Sequence, residues 1–167
     1  MILSFKTKIN GKPTYFVEKI LKVFDEIEAT AKDKEMLKNA IDIGYLDPFI
    51  YDLVKPKPHT IREDKNKRWK PGVMIDFFIN ARQPNMFRFA PRIPLVSRQI
   101  IFMTYLPQFG QTFEVSIDGR KIQKSEIEIL AINDGFDCVK DFEDYFISQM
   151  TNDEYSGKIL HWTDLRY

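Results

Sequence analysis

The chain has 167 residues, 44% hydrophobic and 29% charged, with a formal net charge of +1. That is enough for one domain with a real core and is the composition of a soluble globular protein, not of a disordered or fibrous one. No run approaches the ~18 consecutive apolar residues of a membrane span, so no membrane partner is expected. The first six residues lack the charged and apolar regions of a secretory signal, which makes the cytoplasm the expected address.

Residues 2–9 read as a short strand ending at the turn dipeptide Asn10-Gly11. From Thr14, apolar residues at Phe16, Val17, Ile20, Leu21, Phe24 and Ile27 fall at helical spacing. A weaker amphipathic helix spans about 32–41, carried by Met36, Leu37, Ala40 and Ile41 and stopped by Gly44. Residues 45–54 are mixed and apolar, with a turn at Asp47-Pro48 and no clear element after it. Residues 55–72 form a basic loop with seven Lys/Arg against two acids, stiffened by Pro56 and Pro58 and closed by Pro71-Gly72.

A strand follows at 73–79, and residues 80–94, with three prolines, read as an irregular excursion. Residues 95–105 are strand-like. Strands at 112–117 and 120–123 flank Asp118-Gly119, the strongest hairpin signal in the chain. Ser125 with Glu128 reads as a capping box for a helix over 126–133, ended by Gly135. Asp137 is the expected cap of a second helix, in which Cys138 serves as a small residue and not as a nucleophile. Residues 157–162 close the chain as a strand. This order of elements, with a hairpin, fits α+β with a small barrel or curled sheet better than a parallel βαβ sheet.

The lone cysteine excludes an internal disulfide, and with only two histidines a structural zinc site is not expected. Neither a metal nor a cofactor is expected. Charge is unevenly placed: residues 55–98 hold eleven Lys/Arg against three acids, a balance of +8, which leaves −7 for the rest. Two readings stay open, a basic face that meets phosphates or one paired with acidic segments of the same molecule.

Several ordered anchors carry a resemblance. They are Lys57-Pro58-His59-Thr60-Ile61-Arg62, Arg68-Trp69-Lys70-Pro71-Gly72, Asp118-Gly119, Ala131-Ile132-Asn133-Asp134-Gly135-Phe136 with Asp141-Phe142, and Gly157-Lys158-Ile159-Leu160-His161-Trp162. Together they resemble the ASCH domains of the PUA-like superfamily, over most of the chain from residue 55 onward. The resemblance implies one domain over 1–167, a small PUA-like β-barrel with flanking helices, with a helical insertion at about 22–54. It also implies a cleft between the 57–62 loop and Asp134.

The partner implied is RNA or a modified nucleoside, with His59, Arg62, Arg68, Trp69 and Arg82 as binding residues and Trp69 stacking on a base. Some compact ASCH members look like amidohydrolases that deacylate N4-acetylcytidine with a lysine, a threonine and a glutamate. Lys57 and Thr60 match the first two by position, and the third falls on Asp134, one methylene shorter. In that reading Thr60 is the nucleophile, Lys57 its base, and Asp134 orients the lysine or serves the leaving amine. A third reading, a protein-binding scaffold, would use residues 22–54.

Overall fold

The computed structural model describes residues 1–25, 31–110 and 112–167, and these fall into two compact units. The first comprises residues 1–58 and 72–94, the second 59–71 and 95–167. In chain order the elements are β1 (Ile2–Phe5), β2 (Lys8–Ile9), β3 (Lys12–Pro13), α1 (Phe16–Asp25), α2 (Ala31–Asp42), α3 (Pro48–Leu53), β4 (His59–Arg62), β5 (Met74–Ile79), β6 (Phe87–Arg88), β7 (Ile93–Pro94), β8 (Ser97–Leu106), β9 (Thr112–Ile117), β10 (Arg120–Lys121), α4 (Lys124–Asn133), α5 (Val139–Ile147) and β11 (Glu154–His161). The fold class is α+β. No described helix is long and apolar enough to cross a membrane.

In the first unit β5 is central, pairing with β1, β6 and β7. The strand expected over 2–9 is broken after Phe5, and its far end pairs with β3 as a hairpin across Asn10-Gly11. The β1–β5 ladder is parallel, an exception among otherwise antiparallel pairs. Phe5, Phe16, Phe24, Phe77 and Phe89 form the core, with ring centroids 5.8–6.2 Å apart. The helical spacing from Phe16 to Phe24 is that of the buried face of α1, while Ile27 lies outside the described residues. The stretch expected as an insertion holds α2 and α3. Asp47-Pro48 starts a helix there and not a turn: the Asp47 carboxylate accepts from the amide of Phe49 at 2.9 Å, and Pro48 occupies the first helical position.

The second unit is built on a five-stranded sheet in the order β10-β9-β8-β11-β4. Its pairing path is open, with β10 and β4 as the two edges. Asp118 (φ 50°) and Gly119 (φ 84°) make the two-residue turn between β9 and β10, the left-handed pair that a tight hairpin requires. Helix α4 begins two residues earlier than the sequence suggests. Its cap is Gln123, whose amide donates to Glu126 at 2.8 Å, so Ser125 lies inside the first turn. In α5 the cap position is Cys138, one residue after Asp137. Phe136, Phe142, Phe146 and Tyr155 pack as an aromatic cluster.

Candidate functional site

The end of α4 supplies the carboxylate. Gly135 (φ 89°) turns the chain out of the helix, its amide donating to Ile132 and that of Phe136 to Ala131. This reciprocal C-terminal motif needs glycine at that position and fixes the backbone of Asp134, the C-cap. The buried Asp134 Oδ1 accepts from the Ile61 amide at 3.1 Å, tying together residues 73 apart. Thr60, also buried, is the residue before Ile61 on β4. Strand alternation places Thr60 and Arg62 on one face and His59 and Ile61 on the other.

His59 stands opposite His161 across the β4–β11 ladder, ring centroids 5.4 Å apart. Its Nε2 lies 2.7 Å from the Tyr167 hydroxyl, which also accepts from the Asn133 side-chain amide at 2.9 Å. Burial pushes the Tyr167 phenol up, the Asn133 hydrogen bond pulls it partly back, and the Asp134 charge adds to the rise. The phenol therefore stays protonated, and it shares one hydrogen bond with His59 Nε2 whose direction is set by the imidazole tautomer. His59 Nδ1 is 3.8 Å from Asp134 Oδ1, within electrostatic reach but long for a hydrogen bond.

Tyr167 is held at its backbone as well. Its amide donates to Gln99 Oε1 and its main-chain oxygen accepts from Gln99 Nε2, both at 2.9 Å. Gln99 also donates to Asp118 at 3.0 Å. Burial works against the Asp118 carboxylate, but the hydrogen bonds from Gln99 and the Ile100 amide, with Arg166 and Lys158 nearby, hold it below the usual range.

Thus, of the residues expected in a site, the second unit holds His59, Thr60, Arg62 and Asp134: Asp134 meets the backbone of β4 at Ile61, with His59 on one face of that strand and Thr60 and Arg62 on the other. Lys57 belongs to the first unit, where it is 1% exposed, its amide donating to the Lys19 carbonyl and its Nζ 4.7 Å from the centre of the Phe16 ring. Arg82 is in the same unit, exposed in a turn with φ 67°. Arg68 is exposed and Trp69 is 5% exposed. The Asp64 carboxylate accepts from both their amides, and Arg98 donates to the Trp69 carbonyl at 2.8 Å. The expected stacking face of Trp69 is therefore corrected: the indole is packed inside, where its apolar area stabilises the loop.

The basic stretch is also more compensated than its count suggests. Asp76 lies 3.3 Å from Arg92 and 4.0 Å from Arg88. A groove of about 480 Å³ between residues 63–67 and β11 is lined by Lys65, Lys67 and Lys158, and equally by Glu63, Asp64 and Glu154. That groove has no excess of positive charge to offer a polyanion.

The sequence reading missed Asn133, Tyr167, His161 and Gln99. A usable signal existed for one: His161 falls in the closing strand expected over 157–162, where a buried imidazole needs partners. Among the described residues no group of three or more His, Cys, Asp or Glu is placed to hold a metal ion. No family model, no curated protein and no solved structure matches the chain.

Proposed function

We propose that the chain is an ASCH-type module of the PUA-like superfamily that binds a nucleoside or nucleotide, free or within RNA, at His59, Thr60 and Asp134. One observation carries this reading: the Asp134 carboxylate is anchored on the Ile61 amide, beside Thr60, so the two anchors of the resemblance meet in one unit. The architecture that goes with this reading is a PUA-like barrel, with β10-β9-β8-β11-β4 as its wall.

Calorimetric titration with cytidine, N4-acetylcytidine and a short single-stranded RNA, each at low and high salt, tests the proposal. Nucleoside binding is expected to change little with salt, and RNA binding to fall in proportion to the phosphates it adds. Thr60→Ala is expected to weaken both. No binding by any of the three ligands would overturn the reading.

A second reading, an amidohydrolase acting on N4-acylated cytidines, is favoured by one feature: a buried threonine hydroxyl lies next in sequence to the amide that the buried carboxylate holds. Thr60 would add to the acyl carbon, and the carbon–nitrogen bond would break as the cytosine amine takes up a proton. Water would then hydrolyse the acyl ester. Release of cytidine from a panel of such substrates, lost in Thr60→Ala, is the expected result. No turnover across the panel would remove this reading and leave the binding module.

A further inference from the structure

Residues directly opposed on neighbouring strands project to the same face of a sheet. Ser97 on β8, His161 on β11 and His59 on β4 are opposed in this way, so one hydroxyl and two imidazoles form a row across three strands. The row is buried: both histidines are 0% exposed and Ser97 is 8% exposed. His59 is joined to Tyr167, as described above. By contrast, the Ser97 hydroxyl and both ring nitrogens of His161 find no hydrogen-bond partner among the described residues. Buried polar atoms nearly always have partners. Three orphaned atoms at two adjacent positions therefore call for a partner from outside the chain.

The chemistry of the row restricts that partner. Burial, with the charge of Arg166 close by, holds His161 well below the ordinary histidine range, at about 4, against a smaller opposing effect of Asp118. The other groups beside it are the His59 and Tyr167 rings. A neutral imidazole offers one N–H donor and one bare nitrogen, and a serine hydroxyl both donates and accepts. Their complement is a neutral edge that carries a donor and an acceptor together. An ion would lose its hydration against a row whose own groups, a hydroxyl and neutral imidazole, carry no charge, and a phosphate supplies acceptors only.

We propose that Ser97 and His161 read the donor–acceptor edge of a neutral pyrimidine-type base, admitted by displacement of Tyr167. This inference rests on the nucleoside reading of the same site. Tyr167 suits the part of a movable cover. It is half-buried and outside any helix or strand, and its ring packs 5.4 Å from His59 and 6.1 Å from His161. Its polar contacts, to His59, Asn133 and Gln99, are hydrogen bonds that can break and re-form.

The test follows the ring-nitrogen NMR signals of the two histidines in the full chain while cytidine, uridine or ribose 5-phosphate is added, with calorimetry on the unmodified chain and on Ser97→Ala. Both nucleosides are expected to shift the His161 ring signals, and ribose 5-phosphate to leave them unmoved. Ser97→Ala is expected to weaken nucleoside binding about fivefold to tenfold, the worth of one hydrogen bond. Nucleoside binding with unmoved His161 signals and unchanged affinity in Ser97→Ala would overturn the inference, leave the nucleoside reading standing, and assign the orphaned atoms to buried water. Binding of ribose 5-phosphate alone would overturn base recognition by this row. No binding by any probe would overturn the inference and the nucleoside reading together. The NMR readout needs no substitution, so it does not depend on a variant that folds.

Discussion

Gly157 is a position where one methyl group has a large effect. It sits on β11 between Tyr155 and Ile159, and a Cβ there would lie 2.8 Å from Tyr155 Cε1 and 3.0 Å from the Arg62 carbonyl. The tyrosine ring can shift by rotation, but the carbonyl is backbone of the neighbouring strand β4 and has little room to yield. Gly157→Ala is therefore expected to destabilise the protein by about 1–3 kcal/mol, the usual cost of overpacking, read as a lowered urea midpoint. At the same scale, Tyr167→Phe removes the hydroxyl that joins His59 to Asn133 and is expected to cost about 1 kcal/mol. It should also move the ring-nitrogen signals of His59 more than those of His161, and equal movement of the two would argue against the hydrogen bond described.

The end of α4 is the element on which the candidate site depends. Gly135 at φ 89° occupies a region that costs an L-residue about 1 kcal/mol. Gly135→Ala is expected to lose about that much stability and to weaken ligand binding as well, because the same turn sets the direction of Asp134. Calorimetry and denaturation on the one variant check both halves. Asp134→Asn, which keeps an oxygen for the Ile61 amide, should be milder in stability than Asp134→Ala, which leaves that buried donor unpaired at about 1–3 kcal/mol. Equal stability loss in the two variants would mean that the Ile61 hydrogen bond carries little of the energy.

For the whole molecule, the buried imidazole of His161 makes stability depend on pH. Its folded value of about 4 lies below the ordinary 6.5, so between these values the unfolded chain binds more protons than the folded one. Stability is then complete above about pH 6.5 and falls as pH drops toward 4, by on the order of 3 kcal/mol. Denaturant midpoints measured from pH 4 to 8 are expected to show this decline, and a flat profile in that window would contradict the neutral buried state. The lowered Asp118 carboxylate acts in the same direction at still lower pH.

What the sequence determined by itself was local. The helical face from Phe16 to Phe24, the Asp118-Gly119 turn and the glycine stop after Asn133-Asp134 each follow from residues within a few positions, because caps, turns and periodicity are short-range physics. A local rule also chose wrongly at the start of α4: Ser125 is the cap that the sequence suggests, and Gln123, two residues earlier, takes that place. Strand pairing was decided only in three dimensions, since neither the parallel partner of β1 nor the opposition of Ser97, His161 and His59 leaves a mark in any single segment. The same holds for Trp69, expected to stack on a base and found buried in a loop held by Asp64 and Arg98. The approach of Asp134 to the Ile61 amide belongs here too. Each of these depends on which distant backbone a residue meets, and tertiary packing alone settles that.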